Sequence, residues 1–247
     1  MEQLRTRHDF FYFQIVTRYY LNYIKMLKKF TSSDNLNNMD ISKESLSKYE
    51  GQKFTKEELE KIIKETGIND VMHNLFQLRT FGTMSVVFSA LCLESLINDY
   101  CVFKKSANFL NSYVDKLHTV SKWRVFPELF TGKPFPTDGK AFELLTELYS
   151  FRNSLVHPKS KNIERFDDIS DEQNPLIQDT VKNIKKFDRS FITIKEATSE
   201  LYKIDNDFYY LENYEWLWKG DAKKIQSISA IESFYQSIIS ETNYRQK

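Results

Sequence analysis

Apolar and polar positions along this 247-residue chain alternate with a helical period far more often than with the two-residue period of a strand. Residues 6–30 predict a first helix, with Phe11, Ile15, Tyr19, Asn22 and Met26 on one stripe. Lys25, Lys28 and Lys29 close its C-terminal end, where the helix dipole favours cations. Residues 31–54 read as a polar loop. Thr55-Lys56-Glu57-Glu58 is a capping box that opens a short helix ended by Gly67. A long helical stretch runs from about Ile68 to Lys105, with a break expected near Gly82. Met84, Phe88, Leu91, Ser95 and Asn98 fall near one stripe of it and Val86, Leu93, Ile97 and Tyr100 on another. A helix apolar on more than one side belongs at the centre of a bundle.

Downstream, a helix is expected through Asn108–Leu117 and a short one that starts at Pro127 and ends before Thr131-Gly132, since proline suits a first helical turn. Residues 140–157 form the next helix, with Phe142, Leu145, Leu148, Tyr149 and Val156 on its apolar side. It stops at Pro158, because proline disfavours the helical conformation in the residue before it. An acidic loop over 162–175 separates it from further helical patterns at 176–213 and 222–243. The expected fold class is all-α.

Composition supports the same reading. Six Gly and five Pro are too few turn residues for a many-stranded sandwich or barrel, while 41% hydrophobic and 15% aromatic residues suffice for a sizeable core. The formal net charge of +1 excludes a global field towards nucleic acid or an anionic membrane, so any RNA-binding charge has to be local. Cys92 and Cys101 lie nine positions apart on one predicted helix, on opposite faces, and cannot bridge each other. Two buried, reduced thiols fit a cytoplasmic protein. No leader peptide is expected, and Gln14, Thr17, Arg18 and Asn22 interrupt the Phe10–Ile24 run, so no membrane segment is expected there. The four dispersed histidines and the opposed cysteines assemble no metal-ligand pattern.

The segment Phe151-Arg152-Asn153-Ser154-Leu155-Val156-His157-Pro158 carries the candidate chemistry. Arg152 and His157 would sit roughly 140° apart on a continuous helix. Pro158 pushes His157 towards an extended conformation, which lets the imidazole swing back towards the guanidinium. Asn153, four residues before His157, is placed to orient that ring.

An apolar helix ending in Arg-Asn and then His-Pro resembles the motif helix of the HEPN family (higher eukaryotes and prokaryotes nucleotide-binding), whose motif is Arg-x4–6-His. Ala90-Leu91-Cys92-Leu93-Glu94-Ser95-Leu96-Ile97-Asn98-Asp99 resembles that family's earlier core helix. The resemblance covers residues 83–161. It implies a HEPN-type helical bundle there, with added N-terminal helices over 1–82 and a C-terminal helical extension over 162–247.

It also implies a metal-independent endoribonuclease without a cofactor, from a toxin–antitoxin or antiviral defence system. The products would be a 2′,3′-cyclic phosphate and a 5′-hydroxyl. His157 would act as general base on a ribose 2′-hydroxyl or as acid to the leaving 5′-oxygen. Arg152 would stabilise charge on the phosphorane oxygens. Asn153, Glu94, Asn98 and Tyr149 would support them, Tyr149 as a core residue or as a platform for a base. Lys122, Arg124, Lys133, Lys159 and Lys161 would hold the RNA backbone. The expected partners are RNA, a second copy of the chain in a homodimer, and an antitoxin or a nucleotidyltransferase. The alternative is a catalytically inactive HEPN module that binds a protein or a nucleotide. The bland reading of the pair is an Arg152–Glu94 ion pair with His157 as a helix cap.

Overall fold

A computed structural model describes residues 8–30, 68–157 and 175–214. Among them every regular element is helical, so the all-α class holds. The elements are α1 (His8–Phe30), α2 (Ile68–Lys104), α3 (Ala107–Phe109, running into a π-helical turn at Leu110–Val114), α4 (Thr119–Thr131), α5 (Lys140–Val156) and α6 (Pro175–Ile204). A 3-10 segment follows at Tyr209–Tyr214. The capping box at Thr55–Glu58, the 31–54 loop, the acidic 162–174 stretch and the 222–243 helix lie outside the described residues.

α2 is the central helix, and its Val86, Leu93, Ile97 and Tyr100 are fully buried, as the second predicted stripe requires. The expected break at Gly82 is absent: α2 runs through it unbroken. Gly82 serves close approach instead, since a Cβ there would stand 2.6 Å from the Phe187 ring of α6. α2 and α6 run parallel at a constant offset of 105 residues. The hydroxyls of Ser85 and Ser190 meet at 2.9 Å, and Tyr100 donates to Asp205 at 2.8 Å. Asp205 also pairs with Lys104 at 2.6 Å, so the buried carboxylate is satisfied from α2 twice.

On α1 the buried stripe is Phe13, Val16, Tyr20 and Tyr23, not the predicted one: Phe11 is more than half exposed. A helix this rich in aromatics is apolar on most sides, so periodicity alone did not decide which side faces the core. Aromatic pairs fix it there, with Tyr20 stacked on Phe191 at 4.7 Å and Tyr19 on Phe88 at 5.5 Å.

α4 begins eight residues before the predicted start, with Pro127 inside it and the left-handed Gly132 ending it. Burial of Trp123, Phe126 and Pro127 offsets the backbone donor lost at the proline. The buried Cys92 and Cys101 lie on α2 as expected and are not bridged to each other.

α2 is also the one described helix long and apolar enough to cross a membrane, over His73–Lys104, a feature the sequence reading did not flag. Half of its most apolar window is buried among the other helices, the pattern of a bundle's core helix.

Candidate active site at the end of α5

α5 lies antiparallel to α6 and is pinned by two ion pairs, Lys140–Glu196 at 3.2 Å and Glu147–Arg189 at 2.7 Å. Beyond them Phe151 meets Phe187 at 5.8 Å between ring centres, and the Lys186 ammonium sits 4.6 Å from the Phe151 ring centre. Continuing that register brings Arg152 abreast of Ile184–Lys186. A shallow groove between the helices is lined by Leu148, Phe151, Lys186 and Arg189 among others.

Arg152 is half-buried, and its Nη1 donates to Asn153 Oδ1 at 3.0 Å. His157 is the C-cap, exposed, with φ −125° and ψ 63°, so the chain leaves the helical track there, as Pro158 led us to expect. Its backbone N–H still donates to the Asn153 carbonyl at 3.0 Å. The expected orientation of the imidazole by Asn153 is corrected: the Asn153 side chain accepts from Arg152 instead. The neighbouring guanidinium is a charged donor and takes the acceptor first. Among the described residues no hydrogen bond joins Arg152 to His157. Nor does an ion pair join Arg152 to Glu94, so the bland structural partner of Arg152 is not formed.

Tyr149 is a core residue, which decides between its two expected roles: it is 5% exposed and donates to the Ala90 carbonyl at 2.7 Å. Burial holds its phenol well above the ordinary range. Glu94 and Cys92 add to that, while Arg152 and a hydrogen bond from Thr119 oppose it. Tyr149 therefore joins α2, α4 and α5 directly beneath the motif, with Glu94 and Arg152 both within Coulomb range of its hydroxyl.

Lys122 is corrected. It is 2% exposed and donates from Nζ to Asn98 Oδ1 at 3.0 Å, so it cannot serve the RNA backbone. Asn98 is corrected with it, since its side chain serves this buried ammonium rather than the motif. A solitary buried cation needs a neutral acceptor or a carboxylate, and α2 supplies one from the facing turn. Arg124 and Lys133 are exposed but no bond links them to α5 among the described residues. Lys159 and Lys161 lie outside the described residues.

Two features escaped the sequence. His118, just before α4, packs edge-to-face on Tyr149 at 6.3 Å, which sets a second imidazole beside the motif helix. On α6, Lys182, Lys185, Lys186 and Arg189 share one face beside the end of α5; their i, i+3, i+4, i+7 spacing was the signal that could have found them. No group of three or more His, Cys, Asp or Glu among the described residues is arranged to hold a metal ion. No family model matches this chain, and neither a curated protein nor a solved structure is found to resemble it.

Proposed function

We propose that this protein is a metal-independent endoribonuclease of HEPN type, acting in the cytoplasm within a toxin–antitoxin or antiviral defence system. The observation that carries the reading is the end of α5. A half-buried guanidinium is hydrogen-bonded to the next side chain, and an exposed imidazole follows five residues on, where the chain leaves the helix. A fixed cation beside a solvent-accessible acid–base group is what transesterification of RNA requires.

In the reaction, the His157 imidazole removes the proton of a ribose 2′-hydroxyl as its oxygen bonds to the adjacent phosphorus. Arg152 faces the charge that builds on the non-bridging oxygens. The bond from phosphorus to the 5′-oxygen then breaks, and that oxygen takes a proton from a second acid. One imidazole cannot be base and acid in the same step, and in a homodimer the partner subunit's His157 fills the second role.

Incubation of the purified protein with total RNA and with tRNA in EDTA tests the reading. Cleavage is expected to persist under chelation, to leave 2′,3′-cyclic phosphate ends, and to fall by roughly 10²- to 10⁴-fold in His157→Ala. Cleavage abolished by chelation and restored by a divalent ion would reject it. One observation favours the second reading, an inactive HEPN module: Arg152 is bonded to Asn153 and not to His157. Wild-type protein that leaves RNA intact at every pH would select that reading.

A further inference from the structure

We infer that the cationic face of α6 formed by Lys182, Lys185 and Lys186 is a binding track for the phosphate backbone of single-stranded RNA, leading to the end of α5. The inference rests on the ribonuclease reading for the identity of the strand, and on the packing of α5 against α6 for its place. Positions 182, 185 and 186 lie within one face of a helix, and each four-residue step advances about 6 Å. Lys182 thus stands about 4.5–6 Å along the axis from Lys185 and Lys186, a spacing at which the ammonium groups can meet neighbouring phosphates of an extended strand.

Three observations separate this row from an ordinary solvated lysine face. First, the face meets the motif: Lys186 stands over the ring of Phe151, the residue directly before Arg152. Second, the charges are available. Arg189, the fourth cation of the stripe, is committed to Glu147 at 2.7 Å. Lys182, Lys185 and Lys186 ion-pair with no carboxylate among the described residues. The acidic residue nearest to Lys185 and Lys186 on α6, Asp188, is half-buried and forms no ion pair with them. Third, of the residues expected to hold the backbone, Lys122 is buried against Asn98 and neither Arg124 nor Lys133 is bonded to α5 among the described residues, whereas this row lies directly against the motif helix. Lys182 and Lys185 are exposed and Lys186 is half-buried, its ammonium over the Phe151 ring at the groove between α5 and α6.

The test uses the full-length wild-type chain and a fluorescent 2′-O-methyl oligouridylate. That probe keeps the phosphates and lacks the nucleophile, so binding is read without cleavage. For single strands the slope of log K against log salt falls by about 0.7 for each phosphate contact removed. Replacing all three lysines (K182Q/K185Q/K186Q) is expected to flatten the slope by about 2 and to leave helical circular dichroism unchanged. The exposed pair Lys105→Gln and Lys203→Gln, at the other ends of α2 and α6 from the motif, is expected to change the slope by clearly less.

An unchanged slope in the triple variant overturns the track, as does an equal loss in the Lys105/Lys203 control. Binding confined to vesicles of anionic phospholipid, with none to the oligonucleotide, overturns it in favour of a membrane surface. If the oligonucleotide binds through the three lysines but RNA is never cut, the track stands and the ribonuclease reading fails.

Discussion

Replacing Gly82 by alanine tests the seam that sets α6, and with it the lysine face, beside the motif. In an exposed helix the change would stabilise, since alanine is better than glycine in a helix interior by about 1 kcal/mol. Here the added Cβ would stand 2.6 Å from two atoms of the Phe187 ring, against an ordinary contact of 3.4–4 Å. The ring has to retreat by roughly 1 Å. It is 1% exposed and already in contact with Tyr23 and Phe151, each at 5.8 Å between centres, so there is no free space to retreat into. Overpacking of this kind costs about 1–3 kcal/mol, which exceeds the propensity gain over most of its range.

We therefore expect Gly82→Ala to lose about 1 kcal/mol, or about 2–4 °C in Tm for a domain of this size. Urea unfolding followed by helical circular dichroism measures it. Phe187→Leu on its own removes ring contacts and is also expected to destabilise. In the Gly82→Ala/Phe187→Leu double variant the second change should relieve the first, so the two losses add to less than their sum. A Gly82→Ala protein more stable than wild type would refute the close packing of α2 on α6. It would also undermine the placement of Lys186 beside Phe151.

Two further outcomes are expected. Mixing Arg152→Ala subunits with His157→Ala subunits, each inactive alone, should restore part of the RNA cleavage if two chains share the site; a strictly monomeric protein cutting at full rate would remove the dimer from the mechanism. Lys122→Ala should cost about 1–3 kcal/mol in urea unfolding, because it removes the donor to the half-buried Asn98 side-chain carbonyl and opens a space where the buried Lys122 side chain packs, while the salt slope of oligonucleotide binding stays at the wild-type value; a flattened slope at wild-type stability would return Lys122 to the RNA-binding surface.

The helical class, the central place of α2, the end of α5 before Pro158 and the separation of the two cysteines were all legible in the sequence. Each depends on local chemistry: a 3.6-residue period, an apolar helix without a polar side, a proline's steric demand on its predecessor. Which face of α1 turns inward was not legible, because Phe11, Tyr12, Phe13 and their successors make nearly every face apolar. Only packing against Phe187, Phe191 and Tyr214 chose the stripe of Phe13, Val16, Tyr20 and Tyr23.

Gly82 read as a break because glycine weakens a helix locally. Its use, admitting Phe187 from 105 positions along the chain, exists only once α6 has docked. The fate of each lysine follows the same logic. Lys122 looks like its neighbours Arg124 and Lys133 in the sequence, yet burial among α2 and α4 turned its charge inward to Asn98. Lys182, Lys185 and Lys186 lie some thirty positions from Arg152 in sequence, and the antiparallel register of α5 on α6 brings them to the motif. A charge's type is written in the residue; whether it faces solvent, and beside what, is decided by which helix covers it.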